Sequence, residues 1–157
     1  MHLLRLALYQ PDIPQNAGTL IRLSACLGIP LDVIEPCGFL WDEKRMRRAG
    51  MDYVDHARVS RHASYATFRQ SLGGGRLVLL TTAGSQRLDG FSFQAGDVIM
   101  VGRESAGVPD EVAAHADARL RIPMAAGLRS LNVALAATLA VGQALGQLNA
   151  YPPETGS

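Results

Sequence analysis

The stretch Gly102-Arg-Glu-Ser-Ala-Gly-Val-Pro109 decides how this chain folds. It follows residues 98–101, an apolar, β-branched run that, with residues 76–81, gives the strongest strand signal in the sequence. Its glycines and proline bend the backbone and leave polar main-chain groups open. Pro109 suits the first position of a helix reaching about Ala116, with Asp110 and Glu111 complementing its positive end. A similar break follows residues 119–122, a last short strand, at the proline-led Ile122-Pro-Met124 and at Gly127-Leu-Arg-Ser-Leu-Asn132. Strands ended in this way build a pocket from their carboxyl-end loops, which is where open α/β sheets bind ligands.

Working outward, residues 3–9 read as a buried strand stopped at Gln10-Pro11. Residues 16–27 read as a helix, with Leu20, Leu23 and Leu27 at helical spacing, Asn16 as its cap and Gly28 as its stop. Residues 31–35 are a second strand closed by Pro36. Asp42 opens a short basic helix that ends at Gly50, and residues 53–59 are a third strand. A helix over residues 64–72 stops at Gly73-Gly-Gly75, and a last helix covers residues 131–150. Strands alternating with helices predict an α/β fold: a mostly parallel sheet with helices on both faces. One domain is expected over residues 1–150, with residues 151–157 as a flexible tail.

The last helix is apolar on nearly every side. Leu131, Leu135, Leu139, Gly142 and Gly146 share one face, and Val133, Ala137, Ala140, Ala144 and Leu148 fill others. A domain of 157 residues has little interior in which to hide such a helix completely, so a homodimer is expected.

Bulk composition narrows the function. Hydrophobic residues make up 48% and charged residues 18%, which suits a globule rather than a disordered tail. A net charge of +1 leaves room for a local basic patch but not for a uniformly basic coat. Cys26 and Cys37 are the only cysteines, and His2, His56, His62 and His115 are scattered, so no metal is expected. The apolar start is broken by Arg5 and is too short for a leader or a membrane span, which predicts a cytoplasmic location.

Common catalytic motifs are absent. Gly102-x-x-x-x-Gly107 has P-loop spacing, but Val108-Pro109 stand where Lys and Ser/Thr are required. Gly73-Gly-Gly75 precedes a strand, the wrong order for a dinucleotide fingerprint. Ser105 lies outside a nucleophile elbow, which disfavours a serine hydrolase. Three loops remain. Asn16-Ala-Gly18-Thr-Leu-Ile-Arg22 sets a glycine one turn before an arginine. Glu104 can pair with an arginine or a backbone amide, and Ser130 and Asn132 stand at the start of the last helix.

In this order and spacing, Asn16-x-Gly18-x-x-x-Arg22, Gly102-x-Glu104-x-x-Gly107-Val-Pro109 and Ile122-Pro-Met124 with Ser130-Leu-Asn132 resemble the three motifs of the SPOUT (SpoU-type) RNA 2′-O-methyltransferases. The resemblance spans nearly the whole chain. The segment Glu35-Pro36, Gly38-Phe39, Trp41-Asp42, Lys44-Arg45, Arg47-Arg48-Ala49-Gly50 and Asp52-Tyr53 is similar to the minimal branch that modifies the tRNA wobble nucleotide, cytidine or uridine. Ala134 and the Val141-Gly-Gln143 region are less polar than in many members.

The resemblance implies a carboxyl-terminal trefoil knot, a homodimer, and S-adenosylmethionine as methyl donor, with the tRNA anticodon stem-loop as substrate. It implies cofactor contacts from Leu80, Thr81, Gly102, Ile122, Met124, Ser130 and Leu131, and catalytic roles for Arg22, Ser130 and Asn132. Asn16, Gly18, Glu104 and Gly107 would shape the loops, while Arg22, Lys44, Arg45, Arg47 and Arg48 would hold tRNA. Stabilising a developing alkoxide or holding a phosphate suits Arg22 better than acting as a base, because a guanidinium keeps its proton. A non-catalytic RNA-binding or assembly module on the same fold is the alternative.

Overall fold

The computed structural model describes residues 2–42, 44 and 56–154. Strand β1 (Leu4–Tyr9) leads into helix α1 (Pro14–Leu27) and strand β2 (Leu31–Ile34). Strand β3 (Val59–His62), helix α2 (Tyr65–Gln70) and strand β4 (Leu77–Leu80) follow. Two-residue strand β5 (Gln86–Arg87) and a 3-10 turn (Leu88–Gly90) come before strand β6 (Asp97–Val101). Helix α3 (Asp110–His115), strand β7 (Ala118–Arg121) and helix α4 (Val133–Leu148) complete the described elements. The strands lie in the order β3-β2-β1-β6-β4-β7-β5, and every pairing is parallel.

Side-chain alternation divides the core between the two faces of the sheet. Leu4, Leu6 and Leu8 of β1, Val78 of β4, and Ile99 and Val101 of β6 meet α1 and α4 on one face. Ala7, Tyr9, Leu77, Leu79, Val98 and Met100 meet Phe68 of α2 and Val112 of α3 on the other. Helices on both faces explain why the central strands are almost continuously apolar.

Five sequence expectations change. Helix α1 begins at Pro14, after Ile13 in the cap position, so Asn16 lies inside the first turn and caps nothing. Proline favours that first turn because the turn leaves its missing N–H without a partner in any case. Gly28 does end the helix, in a left-handed conformation with φ of 67°. The third strand lies at Val59–His62 and not at residues 53–59; His56 to Arg58 are not strand, and residues 53–55 lie outside those described. Strand β5 was not expected at all, because two exposed polar residues carry no periodic signal. Helix α4 starts two residues late, at Val133, because Asn132 accepts hydrogen bonds from Ala134 N (2.8 Å) and Leu135 N (3.2 Å) and so caps it. Pro109, likewise, is the cap of α3 rather than its first residue.

Only one side of α4 is buried. Ala134, Ala137, Ala140, Val141, Ala144 and Leu145 face the core, and Leu135 and Leu139 are 59% and 51% exposed. Tyr151 folds back to donate its hydroxyl hydrogen to the Gly142 carbonyl at 3.2 Å.

Two buried aspartates pin the sheet. Asp32 accepts from Arg5 Nε (3.0 Å) and meets His62 Nε2 at 2.8 Å. Asp97, 1% exposed, takes both arms of Arg76 at 2.8 Å and also the Gln94 amide. Removing one partner of a buried pair strands the other charge, at a cost of about 3–5 kcal/mol. Arg76→Leu is therefore expected to lower the unfolding free energy by about 3 kcal/mol in a urea titration. A loss below about 1 kcal/mol would mean that water replaces the guanidinium without penalty.

Candidate functional site

A cleft of about 680 Å³ opens at the carboxyl ends of β4, β6 and β7. Leu80, Val101 and Leu120, all buried, give it an apolar floor, and three irregular segments form its walls. The first wall is the 81–84 turn. Thr81 N donates to the Leu120 carbonyl (2.9 Å), and Arg121 Nη1 donates to the Gly84 carbonyl (3.1 Å). Gly84 lies so close to β7 that an added Cβ would sit 2.4 Å from the Leu120 carbonyl carbon.

The second wall is the 102–107 turn. Arg103 N donates to the Gly107 carbonyl (3.0 Å) and Gly107 N returns a bond to the Arg103 carbonyl (2.9 Å). Gly107 adopts φ of 62°, in the left-handed region that glycine tolerates. Arg103 locks the turn further: its Nε donates to the Gly107 carbonyl at 3.0 Å, and its guanidinium lies 5.6 Å from the Tyr9 ring centroid. The third wall is the irregular stretch through Ile122, Pro123, Met124, Ser130 and Leu131.

Every residue expected to contact a cofactor lines this one cleft: Leu80, Thr81, Gly102, Ile122, Met124, Ser130 and Leu131. Glu104 and Gly107 line it as well. Asn132 does not; its side-chain Oδ1 caps α4, and its Nδ2 donates to Asn16 Oδ1 at 3.1 Å. Asn16 is buried, and its Nδ2 donates to Glu104 Oε1 at 3.2 Å. Gly18 is buried within α1. Arg22 is exposed on α1 and is not among the cleft residues. At 1.5 Å of rise per residue it stands about 9 Å further along the helix than Asn16. Lys44 is exposed, with its amide donating to Asp42 Oδ1 at 2.9 Å, and Arg45, Arg47 and Arg48 lie outside the described residues. Nearby, Phe39 stacks on Trp41 with centroids 6.2 Å apart, and Arg61 lies 5.4 Å from the Trp41 ring.

Asp12 went unnoticed in the sequence. Its amide donates to Glu104 Oε2 (3.2 Å), and its Oδ1 accepts from the Glu104 amide (3.0 Å). Its Oδ2 also accepts from the Ser105 hydroxyl. The hydrogen bond from the Glu104 side chain, helped by Ser105 and by backbone amides, holds the Asp12 carboxyl down to about 2. Burial, then the Asp12 hydrogen bond, pushes the Glu104 carboxyl up. Asp12 is the more acidic member of the pair, and Glu104 is the member that holds its proton more tightly. The only sequence signal was an acid three residues beyond a strand, which is also an ordinary turn residue.

Among the described residues no helix is long and apolar enough to cross a membrane, and no group of three or more His, Cys, Asp or Glu could hold a metal ion.

Fold and cleft together define an open parallel α/β protein with a cleft outside the carboxyl ends of its strands, the place where such sheets bind ligands. Residues 3–142 match the model of the SpoU rRNA methylase family, and the chain belongs to that family. It is 54% identical over 147 residues to the tRNA (cytidine(34)-2'-O)-methyltransferase of Beijerinckia indica, covering 92% of each chain. It is 43% identical to the Escherichia coli K12 protein of the same name, covering 96% of each. A solved structure described as "Structural insights into the 2-OH methylation of C/U34 on tRNA" has a TM-score of 0.89 at 43% identity, over 94% of this chain and 97% of that one. The SpoU methyltransferase AviRb of Streptomyces viridochromogenes, solved with AdoMet, has a TM-score of 0.82 at 25% identity, over 97% of this chain and 60% of that one.

Proposed function

We propose that this chain binds S-adenosylmethionine in the cleft and methylates the ribose 2′-hydroxyl of the tRNA wobble nucleotide, cytidine or uridine 34. The observation that carries the reading is the convergence of three irregular loops on one apolar-floored cleft, tied by the Asn132–Asn16–Glu104 chain of hydrogen bonds. The cleft suits the cofactor by size and chemistry. Its volume falls in the small-molecule range, its floor takes a flat base, and its irregular loops present backbone groups to polar edges. Leu80, Ile122, Met124 and Leu131 would hold the apolar parts, while Gly102 permits close backbone approach and Thr81 and Ser130 offer hydroxyls.

When bound, S-adenosylmethionine supplies a methyl group already activated by a positively charged sulfur. The protein's task is then alignment, which can supply about 7–11 kcal/mol of a barrier. Glu104, Asn16 and Asn132 hold the loop ends in register, and Ser130 orients the hydroxyl or the cofactor at the cleft rim. Arg22 stabilises the developing alkoxide or grips the neighbouring phosphate. Lys44, Arg45, Arg47 and Arg48 contact tRNA phosphates, so affinity falls as salt rises.

The reading includes a homodimer, supported by the exposed Leu135 and Leu139 stripe on α4. In it, Arg22 of one copy serves the cleft of the other, in keeping with its position away from its own cleft. It also includes a carboxyl-terminal trefoil knot, supported by the tight passage of Gly84 against β7 and the outer pairing of β5 on β7, and a cytoplasmic location beside the tRNA pool.

The test is to incubate purified protein and methyl-labelled S-adenosylmethionine with bulk tRNA, followed by nucleoside mass spectrometry. We expect 2′-O-methylcytidine or 2′-O-methyluridine at position 34. Tight cofactor binding with no methylated ribose in any tRNA would instead mark a non-catalytic RNA-binding module.

A further inference from the structure

Strands β1 and β6 are neighbours, yet their following helices leave to opposite faces of the sheet: α1 packs on one side and α3 on the other. Such a switch point opens a crevice at the strand ends. Asp12 follows β1 and Glu104 follows β6, so these two residues, 92 apart in sequence, meet across that crevice.

Their contact is reciprocal. Each backbone amide donates to the other's carboxylate, at 3.2 Å and 3.0 Å. The second oxygen of Asp12 takes the Ser105 hydroxyl, so one side chain grips two consecutive residues of the 103–107 turn. From Glu104 the chain of bonds runs to Asn16, then to Asn132, then to the first amides of α4. Asn16 is buried and is held at both ends of its amide, its Nδ2 donating to Glu104 and its Oδ1 accepting from Asn132. A shift of the Glu104 carboxylate therefore reaches the start of α4 through two amides. Asp12 is also fixed from outside the site. Gly38 N donates to the Pro11 carbonyl at 2.9 Å, and a Cβ on Gly38 would sit 2.6 Å from the Asp12 Cβ. The loop after β2, which leads toward Trp41 and Lys44, thus rests directly on Asp12.

We infer that Asp12 is a positioning residue for methyl transfer: seated at the β1–β6 switch point, its carboxylate holds the 103–107 turn and sets the Glu104–Asn16–Asn132 chain in register. Asp12 touches neither cofactor nor substrate in this role; it acts through Glu104. The inference rests on the methyltransferase reading above.

The experiment is single-turnover methylation by the full chain at saturating S-adenosylmethionine over a range of tRNA concentrations up to saturation, comparing wild type, Asp12→Ala, Asn16→Ala and the double variant. Asp12→Ala is expected to slow transfer ten- to a hundredfold while KM for tRNA stays within about threefold. Because both residues act along one chain, the double variant is expected to be no more than about twofold slower than the slower single variant. A purely structural role would make the two losses multiply and would lower the melting temperature in proportion. Should Asp12→Ala fail to fold, Asp12→Asn keeps the volume and one acceptor for the Glu104 amide, and is expected to lose fivefold or more in rate with the same non-additivity. An Asp12 variant within threefold of wild type, or losses that multiply, would overturn the inference. An inactive wild type would instead remove the methyltransferase reading on which it stands.

Discussion

Replacing Gly102 by alanine is expected to weaken S-adenosylmethionine binding about ten- to a hundredfold, with the protein still folded. An alanine Cβ at this position would lie 2.7 Å from the carbonyl carbon of Gly107 and 2.8 Å from its Cα. Both are backbone atoms, so no side chain can swing aside to relieve the overlap. The turn cannot widen freely either, because Arg103 and Gly107 exchange two backbone hydrogen bonds and the Arg103 Nε adds a third. Overpacking of this kind costs about 1–3 kcal/mol, and each 1.4 kcal/mol is a factor of ten in affinity. The strain falls on the cleft wall, while the buried part of β6 ends one residue earlier at Val101. Calorimetric titration of S-adenosylmethionine into Gly102→Ala, beside its melting curve, separates the two effects. Gly90→Ala is the control, since an added Cβ there meets nothing within 4 Å. Equal affinity in Gly102→Ala and wild type would remove the 102–107 turn from the cofactor site.

How much of this was readable from residues alone depends on whether the information is local. The strands β4 and β6 announced themselves because burial on both faces leaves little but Leu, Val, Ile and Met in them. Gly28 was legible as a stop because a left-handed cap favours glycine. Strand β5 was hidden: Gln86 and Arg87 pair with β7 only because the chain passes that edge, and nothing in their chemistry requires a strand.

The site divides in the same way. Thr81, Gly102 and Met124 could be placed together because strand-end loops of one sheet converge. Asn16 was misread as a cap because Asn is favoured there, and only the fold shows its amide committed to Glu104 and Asn132. For Asn132 the capping explanation and the site explanation hold at once, since its side-chain Oδ1 caps α4 and its Nδ2 reaches Asn16. Asp12 depends on a partner 92 residues away, a relation that no spacing rule contains. Arg22 is a residue whose position in the single chain does not match its expected task, exposed on α1 and off the cleft.

Arg22→Ala is expected to slow methyl transfer by about a hundred- to a thousandfold, the effect of losing one charge-stabilising group at a reacting oxygen. Cofactor affinity should stay within about twofold, because the group that Arg22 is expected to meet is the alkoxide or a phosphate of the RNA and not the cofactor. Arg22→Lys keeps the charge but loses the planar fork, and an intermediate rate is expected. If a second copy receives the arginine, activity can be rebuilt from two impaired chains at an S-adenosylmethionine concentration that fills the wild-type cleft but not the Gly102→Ala cleft. Mixing Arg22→Ala with Gly102→Ala places an intact cleft on the first chain and an intact arginine on the second. A mixed dimer then holds one competent site, and up to half the wild-type activity per dimer should return. Homodimers of either variant, carried through the same unfolding and refolding, provide the baseline. Recovery of activity in the mixture, measured as 2′-O-methylated nucleoside, would fix Arg22 as a residue given across an interface. No recovery, with mixed dimers demonstrated by mass, would return the arginine to its own chain and require α1 to move toward the cleft when tRNA binds.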